Sequence, residues 1–355
     1  MHWSTVFSFV CVSSILFGIS SCHTPPTYTI NLDEAPKLRW KEVAKDYGTQ
    51  MVNFRSKMVQ LLKIPVALLD VLETQAPAIL AHLPNEYAGE IVGLAQAIGL
   101  PLTDMILVNI IYDMTAACTS IVAQTTDDKI IHARNLDYSL PMELRNLTII
   151  VDVQRNNLTV FNGVTFAGMI GLATGQKPNR FTISLNQRNK GFRLENLYEM
   201  LLNREAHFVT LYIRGELESD ESEFNSAVEN FQIAPFMAPC YIILGGVKPG
   251  EGAVITRGRE AELDVRFIDK GKGAWYVLET NYDWWEPPPS SDNRRDPAVK
   301  HMKDVGRSKI SLDTLYEVLS TPPVCNNGTT YTAMMSAGKP DEFRAVIRDK
   351  DTPCK

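Results

Sequence analysis

Ala116-Ala117-Cys118-Thr119-Ser120-Ile121-Val122-Ala123 leads through the turn Thr126-Asp127-Asp128 into Ile130-Ile131-His132-Ala133-Arg134-Asn135-Leu136-Asp137-Tyr138. Across this stretch the chain changes texture. Upstream, apolar residues recur every three or four positions: Val43, Tyr47, Met51, Phe54, Met58 and Leu61 mark a helix over 39–62, which Pro65 interrupts. Further helices are predicted over 66–80, 86–98 and 104–114, with Gly99 and Pro101 separating the last two and Thr103 as an N-cap. Downstream, short β-rich runs are bounded by turn residues, at 120–123, 130–133, 148–153, 160–166 and 181–185, and again at 241–244, 253–256, 263–268, 274–279 and 330–335. Helical patterns over 194–203, 209–218, 222–231, 294–305 and 312–319 fall between them, and 287–291 reads as a surface loop. Strands in blocks and helices in blocks favour an α+β layered fold over a doubly wound sheet.

The chain has 355 residues, 45% hydrophobic and 21% charged, enough for one large domain or two ordinary ones. That balance excludes disorder, collagen-like repeats and coiled coil. The net charge of −6 offers no basic stripe, so no nucleic-acid partner is expected. Val6 to Ile19 is nearly unbroken apolar and small sequence, followed by Ser20-Ser21 and then Pro25-Pro26, which reads as a secretory signal peptide over 1–21. A retained anchor helix and a lipoprotein site ending at Cys22 are the alternatives. Sequons at Asn146, Asn157 and Asn327 agree with secretion. Removal of the signal leaves Cys22, Cys118, Cys240, Cys325 and Cys354, an odd number in a secreted chain.

The sequence contains no G-x-S-x-G, no H-E-x-x-H and no paired C-x-x-C, and its six histidines are dispersed. No metal and no cofactor are expected. Cys118 has two readings. Among Ala and Val it is a small buried hydrophobe. If the chain is cut before it, its thiol shares a residue with a new α-amine of ordinary pKa about 8, which can serve as the base for its own side chain. Arg134 and Asp137 in turn read either as a surface ion pair or as site residues, and Asn281 either as a turn residue or as an amide donor.

These residues, with Phe166-Ala167-Gly168, Gly245-Gly246, Val254-Ile255-Thr256-Arg257, Glu279-Thr280-Asn281-Tyr282-Asp283, Asn293-Arg294-Arg295 and Tyr331-Thr332, make the chain resemble the acid ceramidase and N-acylethanolamine-hydrolysing acid amidase family over about residues 28–350. The resemblance implies an N-terminal-nucleophile hydrolase, an αββα sandwich preceded by a helical region. It implies a precursor that cuts itself in acid at Ala117–Cys118. The products would be an α subunit, 22–117, and a β subunit, 118–355, held as a heterodimer. Cys118 would be nucleophile and, through its amine, base. Arg134 and Asp137 match active-site positions, Asn281 the oxyanion-hole position, and Arg294 a site-associated arginine. The implied substrate is a fatty acid amide lipid presented on a membrane or micelle surface. The implied location is the lysosome, with secretion as a second destination.

Two departures stand out. Gln187 occupies a position where the family carries Glu, and Gln cannot exchange a proton. Cys22 matches a ceramidase cysteine that bridges the two chains, but His301-Met302 offers it no partner, which leaves Cys325 or Cys354 as substitutes. The short run from Tyr138 to Leu144, without the ceramidase insertion, points to N-acylethanolamines as substrate. Ceramide is the alternative substrate, and a non-catalytic lipid-binding protein the alternative class. The apolar stretch 61–69 reads as core helix, acyl-chain wall or membrane contact, and Trp284-Trp285 as a pocket wall or packing.

Overall fold

The computed structural model describes residues 24–62, 65–110, 117–191, 195, 196, 199, 201, 203, 205–349 and 351–354. The expected signal peptide, Cys22 and parts of the helical patterns over 104–114 and 194–203 lie outside these. Four helices among the described residues precede Cys118: α1 (Lys41–Leu62), α2 (Val66–Leu80), α3 (Asn85–Ile98) and α4 (Leu102–Ile110). Gly99 ends α3 in the left-handed conformation, where a side chain would be strained. Thr103 lies inside α4 rather than capping it, because the first turn already hydrogen-bonds to the Pro101 carbonyl. The sequence reading also missed a strand, β1 (Thr27–Asn31), which is only five residues long.

The body is two facing sheets. The first contains β1, β4 (Thr148–Arg155), β5 (Leu158–Phe166), β6 (Thr174–Lys177), β7 (Phe181–Gln187), β8 (Cys240–Gly245), β9 (Gly252–Arg257) and β10 (Glu262–Phe267), in that order. The second runs β11 (Tyr276–Glu279), β2 (Ala117–Gln124), β3 (Ile130–Asp137), β12 (Thr329–Met335), β13 (Arg344–Ile347). The short helix α5 (Pro141–Leu147) follows β3. Helices α6 (Val209–Glu218) and α7 (Phe224–Ile233) cover the outer face of the first sheet. Helices α8 (Arg295–Val305) and α9 (Leu312–Ser320) cover that of the second. The layers are therefore α, β, β, α, as the resemblance implies.

Strand alternation sorts the hairpin β2–β3. Ile121, Ala123, Ile131 and Ala133 pack towards α8 and α9 with Met302, Leu315 and Leu319. The opposite face carries Cys118, Ser120, Val122, His132 and Arg134, because directly paired residues of antiparallel strands share a face. This face meets β7, β8 and β9 of the other sheet.

The helical region is joined to the body in two ways. β1 pairs in parallel with β4, covering an exposed sheet edge. Glu90 of α3, fully buried, receives hydrogen bonds from Arg214 of α6 (2.8 Å), Trp40 Nε1 (2.6 Å) and Arg39 (3.0 Å). Burial opposes its ionisation, but Arg214, Trp40 and Arg39 together hold its carboxyl below the usual range. Cys325 and Cys354 form a disulfide within the body, Cα–Cα 5.2 Å, so neither is left for Cys22; the expected substitute bridge between the regions is corrected.

Removing one partner of a buried ion pair strands the other charge, which costs about 3–5 kcal/mol. Glu90→Ala in an uncut Cys118→Ala chain should lower the free energy of urea unfolding by about that amount. A loss below about 1 kcal/mol would put Arg214 in contact with water instead.

Candidate active site

Cys118 is the second residue of β2 and is fully buried. Its Sγ accepts a hydrogen bond from Arg134 Nη2 at 2.8 Å, its backbone N–H donates to Asn281 Oδ1 at 2.6 Å, and its carbonyl accepts from Arg294 Nη1 at 2.9 Å. Three of the residues singled out from sequence thus touch one cysteine. A guanidinium beside sulfur favours the thiolate, the reactive form.

Arg134 is not a surface residue. It is fully buried between the sheets, donating to Thr174 Oγ1 (2.9 Å), Tyr331 Oη (3.1 Å) and the Leu185 carbonyl (2.8 Å). Nor is it paired with Asp137, whose Oδ2 lies 2.8 Å from Arg294 Nη1. Burial raises the Asp137 carboxyl above its usual range, and Arg294 opposes that shift. Its Oδ1 is buried and makes no hydrogen bond of normal geometry. Ala117 and Asp137 are register partners, so this carboxyl stands at the strand end where the Ala117–Cys118 bond lies. A cavity of about 420 Å³, lined by Ala117, Asp137, Tyr138, Asp292, Arg294 and Asn326 among others, opens beside that bond.

Arg294 joins the parts. Besides the Cys118 carbonyl and Asp137, its Nη2 donates to Asn281 Oδ1 at 2.7 Å, and Asp292 clamps it at 2.6 and 2.7 Å. Burial disfavours its charge, but Asp292 and Asp137 more than restore it, so its pKa is raised. Because a guanidinium only donates, the atom of Asn281 facing it is the oxygen. Asn281 Nδ2 uses one of its two hydrogens on the Gln187 carbonyl at 2.6 Å, leaving the other for a developing oxyanion. Asp283 holds the Asn281 loop from the far side, accepting from Arg188 twice at 2.7 Å and from Tyr241 at 2.7 Å. Asp283 belongs to the Glu279–Asp283 motif but was given no role there, and Asp292 and Thr174 carried no sequence signal. Gln187 lies next to this loop and borders a second cavity of about 230 Å³ with Arg188 and Lys190. Trp284 and Trp285 are half exposed, with Trp284 Nε1 donating to Asp264 at 2.8 Å, so they do not wall the cysteine.

Residues 118–295 match the family model described as linear amide C–N hydrolases, choloylglycine hydrolase family. The chain is 41% identical over 327 residues to the N-acylethanolamine-hydrolyzing acid amidase of Oryctolagus cuniculus, covering 92% of this chain and 90% of that one. The chain belongs to the choloylglycine hydrolase family. Within this family of linear amide hydrolases it is also 37% identical to the acid ceramidase of Balaenoptera acutorostrata scammoni, covering 93% of this chain and 87% of that one. Residues 23–83 match a second model, the beta subunit of N-acylethanolamine-hydrolyzing acid amidase. The solved structure of a Caenorhabditis elegans N-acylethanolamine-hydrolyzing acid amidase ortholog superposes with a TM-score of 0.60 at 37% identity, covering 65% of this chain and all of that one.

Two residues before Asn281, Glu279 is fully buried, its carboxyl pushed up to about 7 by burial and only partly restored by Arg266. The folded state therefore binds this proton more tightly than the unfolded chain. Its contribution to stability is complete below the ordinary carboxyl value and is lost as pH rises towards about 7. Glu279→Gln should remove about 3 kcal/mol from the decline in unfolding free energy across that window. An unchanged pH profile would contradict a protonated Glu279.

Proposed function

We propose that this protein is a self-cleaving cysteine amidohydrolase that hydrolyses fatty acid amides, with N-acylethanolamines preferred, in the lysosome. One observation carries the reading: the nitrogen, sulfur and carbonyl oxygen of Cys118 are each held by a different buried residue, Asn281, Arg134 and Arg294. A structural cysteine needs none of these contacts. The similarity to acid amidases and acid ceramidases supports the substrate class, and the direct passage from β3 into α5 supports the amidase side.

In maturation, Cys118 Sγ attacks the Ala117 carbonyl. The C–N bond breaks, the acyl group passes to sulfur, and water releases it as a carboxylate. The freed α-amine of Cys118 then sits against Asn281 Oδ1. In turnover the amine takes the thiol proton and the thiolate adds to the substrate carbonyl. The oxyanion meets the second Nδ2 hydrogen of Asn281, and the ammonium returns the proton to the leaving amine. Water, deprotonated by the same amine, then cleaves the thioester and regenerates the thiol. The two fragments stay together through the β1–β4 ladder and the Glu90 ion pair as a heterodimer.

Incubation with palmitoylethanolamide and with a ceramide in mixed micelles at acid pH tests the reading. The wild type should release fatty acid faster from palmitoylethanolamide, and Cys118→Ala should release none. Faster release from ceramide would make the protein a ceramidase, and binding without hydrolysis a carrier. Removal of the Asn281 donor by Asn281→Ala should cost turnover about 10²–10³-fold.

A further inference from the structure

The layer between the two sheets contains a line of polar side chains that the reaction does not use. Thr182, Ser184 and Asn186 project from β7 towards Ser120 and His132 on the cysteine-bearing face of β2–β3, and all five are buried. Ser184 Oγ donates to Ser120 Oγ at 2.9 Å, and Ser120 Oγ donates to Asn186 Oδ1 at 2.7 Å. His132 lies behind them, Nε2 at 2.9 Å from Ser184 Oγ and Nδ1 at 2.9 Å from Thr182 Oγ1. The His132 ring caps the far end of the line at Ser184 and at Thr182, whose own hydroxyl hydrogen goes to the Gly245 carbonyl at 3.1 Å. Burial and the neighbouring Arg134 keep that ring neutral, with its pKa pushed down to about 3. The hydroxyl hydrogens run from Ser184 to Ser120 to Asn186.

At the end of this line Asn186 Nδ2 donates to the carbonyls of Glu279 and Thr280, each at 3.0 Å. These are the two residues immediately before Asn281. The Asn186 amide is the only group of that side chain able to donate, and the Ser120 hydroxyl fixes which end of it faces β11. We propose that Asn186 is a positioning residue for Asn281, and that the His132–Ser184–Ser120 line holds Asn186 in the one orientation that works. Without it, two buried carbonyls lose a donor, and the backbone just ahead of Asn281 relaxes. A sub-ångström shift there moves Oδ1 relative to the Cys118 nitrogen and Nδ2 relative to the oxyanion, which lowers turnover more than binding.

The inference rests on the hydrolytic reading, and the test separates the two. Matured wild type, Asn186→Asp, Ser120→Ala and Ser120→Thr are compared with palmitoylethanolamide, with rates expressed per Cys118 titrated by a thiol-directed inhibitor. A carboxyl in place of the Asn186 amide keeps the shape but, buried and protonated at acid pH, carries one hydrogen and so serves at most one of the two carbonyls. Asn186→Asp should lower kcat by about 10–100-fold with KM within about twofold. Ser120→Ala should lose part of that, and Ser120→Thr, which keeps the hydroxyl, should recover most of it. If Asn186→Asp fails to mature, the Ser120 pair alone decides. Full kcat per titrated site in Asn186→Asp, or equal rates for Ser120→Ala and Ser120→Thr, would overturn the positioning role. A wild type that cleaves neither lipid would instead overturn the hydrolytic reading.

Discussion

One buried cation organises this site. The Arg294 guanidinium reaches the Cys118 carbonyl, the Asp137 carboxylate and the Asn281 amide oxygen within 2.7–2.9 Å, and Asp292 neutralises it from behind. A charge taken out of water is tolerated only when its hydrogen bonds are met, so each of these acceptors is held in place by the cost of losing it. The residue comes from the start of α8, whereas its partners come from β2, β3 and the loop after β11. The cation therefore pins the outer helix layer to the strand that carries the cysteine.

A second buried cation works on the sulfur side. Arg134 meets Cys118 Sγ, and Thr174, Tyr331 and Leu185 take its other hydrogens. One guanidinium faces the thiol and the other holds the Cys118 carbonyl, in the peptide bond that follows the cysteine, while Asn281 holds the nitrogen of the bond ahead of it. The polar line through Ser120 and Asn186 completes the frame from the opposing sheet, tying the rigid body of β7 to the loop that presents Asn281. Precision of this kind is easier to hold on strands than on loops, and Cys118 stands at the opening of a strand.

Much of this was legible in the chain. The switch from helical to strand periodicity at Cys118 marks the boundary between the four helices and the sandwich, and nearly every strand run recurs within a residue or two of its expected place. The five site residues were legible through ordered motifs rather than through periodicity. β1, β6 and β13 escaped because they are only four or five residues long, too short for alternation to stand out. Thr174 and Asp292 escaped because their role is to satisfy another side chain, and nothing local marks that. Alternation in Thr182-Ile183-Ser184-Leu185-Asn186 correctly gives β7 a polar face, but pattern alone assigns such a face to water. It is buried because the facing strands are polar as well. The cysteine pairing stayed open in the sequence because the count of candidates says nothing about which two Cα atoms come within bridging distance.

The account stands or falls on whether the sulfur of Cys118 works beside a liberated nitrogen of the same residue. N-terminal sequencing of the large fragment from a catalytically active preparation reads this directly. A fragment beginning Cys-Thr-Ser, at residue 118, is the predicted result. Full activity in a chain whose Ala117–Cys118 bond remains intact would contradict it.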